Sequence, residues 1–183
     1  MVHRFLYLGY RYCAFKKFLS EARNSRSIQL EALLKKIRRN AASSFGQDHG
    51  FSEIRTLADF RRRVPVTNYD YYGPYIDRVK RGEAEAMFGP GTKILMFALT
   101  SGTTGSSKFI PVTEEFFEEY RRGWNLWGVR MYWDHVDLVR KRKKTVKLGS
   151  DWQEFYSEGG IPCGSISGLV AETAPLFLRD VRE

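Results

Sequence analysis

The sequence predicts a fold that mixes α-helices with short β-strands, and three observations predict it. Between Ser27 and Arg39 the apolar residues Ile28, Leu30, Leu33, Leu34 and Ile37 recur at helical spacing. Ile94–Leu99 is an apolar run without that spacing, too short for a buried helix and of the right length for a buried strand. Thr113 then opens a second long stretch with helical periodicity.

The chain has 183 residues, 43% hydrophobic, 15% aromatic and 28% charged. That composition supports one domain with a real core and excludes general disorder. No apolar stretch approaches the ~20 residues of a membrane-spanning helix. Two cysteines, Cys13 and Cys163, exclude a disulfide-stapled secreted scaffold. With only three histidines to help, they do not compose a tetrahedral zinc site, and no metal ligand is assigned. A reduced, cytoplasmic chain is the default expectation.

Taken in order, residues 1–20 hold Arg4, Arg11, Lys16 and Lys17 and no acid. Arg4 and Arg11 interrupt the apolar core that a secretory signal requires. Phe5, Leu6, Leu8, Phe15, Phe18 and Leu19 fit a helix packed on the domain, with a transit peptide or surface-lying helix as alternatives. Ser27 is the expected cap of the helix ending at Arg39, where Lys35, Lys36, Arg38 and Arg39 suit the negative end of the dipole. Residues 40–53 are small and polar, expected to form a loop around Gly46 and Gly50. Thr56 with Asp59 has the spacing of a capping box at a short helix. Val64 must be extended because Pro65 follows it. Thr67 with Asp70 repeats the capping spacing before a helix running to about Lys80, interrupted at Gly73-Pro74.

Phe109-Ile110-Pro111-Val112 is a second candidate strand, whose proline points to a sheet edge. Thr113 caps the next helix, with Glu114 and Glu115 in its first turn. Phe116, Tyr120, Trp124, Trp127 and Met131 lie on one face of it, a row expected to be core. Gly159 to Gly168 is rich in glycine and serine, and Leu176-Phe177-Leu178 begins an apolar-periodic end with no helix-stop residue, which reads as a chain cut inside a fold.

The net charge is +9. Residues 1–63 carry 14 basic and 5 acidic side chains, so the excess belongs to the N-terminal third. A second basic cluster runs from Arg140 to Lys147. No zinc-finger spacing, RNA-binding signature or basic-zipper heptad accompanies either cluster, so solvated helix faces are expected rather than a nucleic-acid site.

Between the two candidate strands lies Thr100-Ser101-Gly102-Thr103-Thr104-Gly105-Ser106-Ser107-Lys108. Glycines let backbone N–H groups approach an anion, hydroxyls donate to phosphate oxygens, and lysine adds a compact positive charge. The segment is not a Walker loop, because Phe109 replaces the metal-binding hydroxyl and a strand, not a helix, follows. From the residues alone, a polyphosphate cradle and a polar hairpin loop stand as equal alternatives.

The run from Thr100 through Thr113 resembles the phosphate loop of adenylate-forming enzymes, the superfamily of acyl-CoA synthetases and luciferases. Asp59-Phe60-Arg61, Val64-Pro65-Val66, Tyr69-Asp70, Pro74-Tyr75-Ile76-Asp77-Arg78 and Gly82-Glu83 resemble the region before that loop in the Gretchen Hagen family of auxin-responsive acyl-acid amido synthetases. Asn40 to Phe51 also fits that family, and Gly159 to Gly168 does so more weakly. The resemblance covers about residues 30 to 170. It implies an α/β fold, helices packed on a mixed sheet, with residues 1–183 as the N-terminal portion of a large adenylation domain. The rest of that domain and a mobile C-terminal domain are expected to lie outside these residues. It implies ATP and Mg2+ as cofactors, adenylation of a small carboxylic acid, and transfer of the acyl group to an amine or amino acid. Thr100, Ser101, Gly102, Thr103, Thr104 and Gly105 would hold the β- and γ-phosphates, and Lys108 would neutralise the leaving pyrophosphate. His135, on a predicted helix, is expected to be structural.

Two other functions stand beside this one: an inactive remnant of such an enzyme, and a basic module binding nucleic acid or an anionic membrane. The loop favours the enzyme over the module, which needs no hydroxyl-rich turn before a lysine. Uncovered sheet edges and apolar faces would make such a piece prone to self-association.

Overall fold

The computed structural model describes residues 2–100, 107–137 and 149–173. Among the described residues, seven helices pack on one mixed four-stranded sheet. The helices are α1 (Val2–Ala22), α2 (Ser25–Arg39), α3 (Ser44–Asp48), α4 (Leu57–Arg63), α5 (Gly73–Lys80), α6 (Glu114–Asp134) and α7 (Ile166–Glu172). The strands are β1 (Ile94–Leu99), β2 (Phe109–Thr113), β3 (Phe155–Tyr156) and β4 (Pro162–Gly164). Their order is β2-β1-β4-β3, antiparallel except for the parallel pair β1–β4. The α/β expectation therefore holds, and Pro111 does lie on an edge strand.

Strand β1 is central, and its alternation divides the core. Phe97 faces one way, packed with Ile76 and Val79 of α5, Ala86 and Cys163. Met96 faces the other, with Val112, Phe117 of α6 and Leu169 of α7. A separate cluster of Ile37, Phe45, Phe51 and Ile54 joins α2 to α3 and the turn after it. The sheet is thus covered on both faces at β1.

Several local expectations are met. Thr56 and Asp59 form a reciprocal capping box at α4. Thr113 Oγ1 accepts from the Phe116 N–H at 3.1 Å and starts α6. Val64 is extended, with φ −106° and ψ 109°.

Others are corrected. Helix α2 starts at Ser25 after Asn24, and the Ser27 hydroxyl donates back to the Asn24 carbonyl instead of capping. Residues 40–53 are not simply a loop: α3 and a 3-10 turn over Phe51–Glu53 lie within them. Thr67 caps nothing; its buried hydroxyl has no hydrogen-bond partner, and Asn68 precedes a 3-10 turn over Tyr69–Tyr72. Gly73-Pro74 begins α5 rather than interrupting it, because proline in a first turn loses no hydrogen bond. On α6 the buried residues are Phe117 and Val129, whereas Phe116, Trp124 and Trp127 are 43%, 51% and 61% exposed. Phe116, Tyr120, Trp124 and Trp127 run along the helix in ring-to-ring contact instead of filling the core.

Helix α1 lies against α6, with Tyr12 stacked on Trp133 at 4.4 Å between ring centroids. Part of the N-terminal basic charge is used inside the fold. Lys36 pairs with Glu119 at 2.5 Å and Arg39 pairs with Glu115, tying the end of α2 to the start of α6. Arg62 pairs with Asp59, and Arg63 with Glu53. The Arg140–Lys147 cluster and the segment from Leu176 onward lie outside the described residues.

Candidate functional site

The hydroxyl- and glycine-rich segment connects the central strand to the edge strand. Antiparallel pairing places Leu99 opposite Phe109, so Thr100 and Lys108 meet as the next rung. The Thr100 N–H donates to the Lys108 carbonyl at 3.2 Å. The Lys108 N–H donates to Thr100 Oγ1 at 3.1 Å. Thr100 therefore spends an acceptor position on the stem and keeps its hydroxyl hydrogen to donate. Ser101, Gly102, Thr103, Thr104 and Gly105 lie outside the described residues.

Lys108 is exposed and forms no ion pair with a carboxylate among the described residues. Its ammonium lies 5.4 Å from the centroid of the Tyr69 ring. The Tyr69 hydroxyl accepts from the Phe109 N–H at 2.9 Å and donates to the Phe109 carbonyl at 3.2 Å. Lys80 sits over the Phe109 ring at 4.7 Å, with its charge paired to Asp77 at 3.2 Å.

The far end of β2 is fixed by the Thr113 cap and by the α2–α6 ion pairs. Burial opposes ionisation of Glu115, but the Arg39 guanidinium and the Thr113 hydroxyl outweigh it and hold the carboxyl below its ordinary pKa. On β4, beyond β1, burial pushes the Cys163 thiol up, which keeps it protonated and a poor nucleophile.

The two histidines whose side chains are described, His49 and His135, lie elsewhere in the fold. His49 is buried and committed on both ring nitrogens. Its Nδ1 lies 2.7 Å from the Phe45 carbonyl, which can only accept, so Nδ1 carries the proton. Its Nε2 accepts from the Tyr71 hydroxyl at 2.6 Å. His135 is the exposed C-cap of α6. Among the described residues no three His, Cys, Asp or Glu side chains converge on a metal position.

The arrangement can bind an anion and offset developing negative charge. Among the described residues it pairs no nucleophile with a base. Sequence reasoning singles out Thr100 and Lys108 as candidates but not Tyr69, which the structure brings beside them. The Tyr69–Phe109 contact spans 40 positions, and no local spacing signals it.

The family model "GH3 family N-terminal domain" matches residues 14–182. The chain is similar to jasmonoyl–L-amino acid synthetase JAR4 of Nicotiana attenuata, 30% identical over 148 residues, covering 80% of this chain and 25% of that protein. It is also similar to the 4-substituted benzoates-glutamate ligase GH3.12 of Arabidopsis thaliana, 30% identical over 104 residues, 56% of this chain and 18% of that protein. Among solved structures, AtGH3.15 acyl acid amido synthetase in complex with 2,4-DB matches with a TM-score of 0.69 and 25% identity. That match covers 82% of this chain and 26% of the solved one. The chain spans about a quarter of the length of the first of these relatives.

Proposed function

Because the chain belongs to the GH3 family, matched through its N-terminal domain, we propose that it carries the phosphate-holding part of an ATP-dependent acyl acid amido synthetase. Residues 1–183 are then the N-terminal portion of the large adenylation domain, acting in the cytoplasm. The observation that carries this reading is Lys108, an exposed ammonium with no carboxylate partner among the described residues, at the mouth of the hydroxyl- and glycine-rich hairpin.

ATP supplies the activation of a carboxylate that an amine cannot attack at neutral pH. Toward it, Thr100 donates its free hydroxyl hydrogen, and Ser101, Gly102, Thr103, Thr104 and Gly105 complete the phosphate-holding segment. Lys108 offsets the charge that accumulates as pyrophosphate leaves. The names of the relatives point to the substrate class: a small carboxylic acid such as a jasmonate or benzoate, and an amino acid as acceptor.

The test is a thermal melt of the 183-residue chain with and without MgATP, repeated with Lys108→Ala. Ligand bound only to the folded state raises the melting temperature. Lys108→Ala is expected to weaken MgATP binding about tenfold or more, the loss of one charge-assisted contact. It should change stability by less than about 0.5 kcal/mol, as an exposed substitution does. A large stability loss with unaltered MgATP binding makes the lysine structural and removes the reading.

A further inference from the structure

The geometry points to Tyr69 as the residue that positions Lys108 for a polyphosphate, through two separable contacts, one from its hydroxyl and one from its ring. The inference rests on the phosphate reading of the hairpin and adds a residue to it.

The hydroxyl contact concerns the backbone. Strand β2 is an edge, so every second residue turns its N–H and carbonyl away from the sheet. Phe109 is such a residue. One tyrosine oxygen, accepting at 2.9 Å and donating at 3.2 Å, satisfies both groups at once. Lys108, one position earlier, is bonded from the other side by Thr100. Consecutive residues are therefore clamped from opposite directions, which fixes where the lysine leaves the backbone.

The ring contact concerns the side chain. Lysine is a flexible stem with a point charge at its end, and a free stem loses rotamer freedom when a ligand orders it. An aromatic face attracts an ammonium within ~6 Å of its centroid, and Lys108 Nζ lies inside that range at 5.4 Å. A carboxylate in the same place would neutralise the charge, whereas the ring holds it without cancelling it. Tyr69 is itself carried rigidly, since its 3-10 turn runs straight into α5, whose Ile76 and Val79 are buried against Phe97 of β1.

The experiment is calorimetric titration of MgATP into the 183-residue chain and into Tyr69→Phe, Tyr69→Leu, Lys108→Ala and the Lys108→Ala/Tyr69→Leu double variant. Hydrogen exchange is followed at the Phe109 amide. Tyr69→Phe keeps the ring and its volume, and should weaken binding about threefold while speeding exchange at Phe109. Tyr69→Leu loses both contacts and should weaken binding about tenfold. The double variant should bind no more weakly than Lys108→Ala alone, because Tyr69 acts through the lysine. If Lys108→Ala weakens MgATP but both Tyr69 variants bind like the parent, or the two losses simply multiply, the assignment of Tyr69 falls and the phosphate reading stands. If Lys108→Ala binds like the parent, or the parent binds no MgATP, the phosphate reading falls and takes the inference with it.

Discussion

Two turns of this molecule look alike as sequence and are built to opposite ends. Residues 40–53 and 100–108 are both small, polar and glycine-bearing. In the first, polar side chains are spent on the protein itself. Ser43 Oγ donates to the Asn40 carbonyl at 2.7 Å and accepts from the Gly46 N–H at 3.0 Å. Asp48 accepts from the Tyr75 hydroxyl at 2.7 Å, which pushes that phenol up to about 12. His49 is used on both nitrogens, and Glu53 is paired with Arg63. In the second, the described lysine is exposed, unpaired with any described carboxylate, and merely steadied by a ring. The difference teaches that residue type alone does not mark a candidate binding turn; what the protein leaves unsatisfied does.

The largest expected effect that sharpens this contrast is Gly46→Ala. A Cβ at Gly46 would overlap the Asn40 carbonyl oxygen, a backbone atom that cannot step aside. Helix propensity favours alanine by about 1 kcal/mol, but a forced backbone shift in a packed turn costs about 3 kcal/mol, so the variant is less stable. Denaturant unfolding measures it, and an unchanged midpoint would break the comparison. Next is Ser43→Ala, which removes the cap of α3 and should cost about 1–2 kcal/mol because the site is buried. Its MgATP affinity, read well below the melting temperature, should match the parent, which is the behaviour that separates the first turn from the second.

The smallest is electrostatic and lies just beyond the first turn. Asp59 is held below its ordinary 3.8 by the Thr56 hydroxyl, then by the Arg55 N–H, with Arg62 adding to both. A lowered folded pKa means that the carboxylate stabilises the fold above about pH 4 and stops doing so as pH falls through the lower folded value. Melting temperatures taken from pH 5 down to pH 2 should therefore decline, and Asp59→Asn should flatten part of that decline. An identical profile in the variant would remove Asp59 from the account.

Much of the fold was legible because its signals are local. Thr56 with Asp59, Thr113 with the glutamates after it, and the apolar run Ile94–Leu99 each declare themselves within a few residues. The errors have physical causes too. Helix α3 is only Ser44–Asp48, too short for apolar periodicity, and its one signal was Ser43 before it. Gly73-Pro74 reads as a breaker unless the helix is known to begin there. The aromatic row of α6 suits a core by composition, yet the buried residues are Val129 and Phe117, the latter packed with Met96 and Val112 of the sheet. At the site, Lys108 was visible through its neighbours in sequence. Tyr69 was not, because only the folded chain brings residues 69 and 109 together.

The central position of β1 has a consequence for the order in which the chain can assemble. Its antiparallel partner β2 follows after one turn, but its parallel partner, Cys163 opposite Phe97, is synthesised much later. At ~5–20 residues per second a ribosome needs roughly 2–10 seconds to add the stretch between them. For that interval the hairpin that carries Lys108 can exist while one side of its central strand stands open. Nascent chains stalled between β2 and β4 would thus already display the lysine, together with an unpaired strand edge that a chaperone or a neighbouring chain could engage.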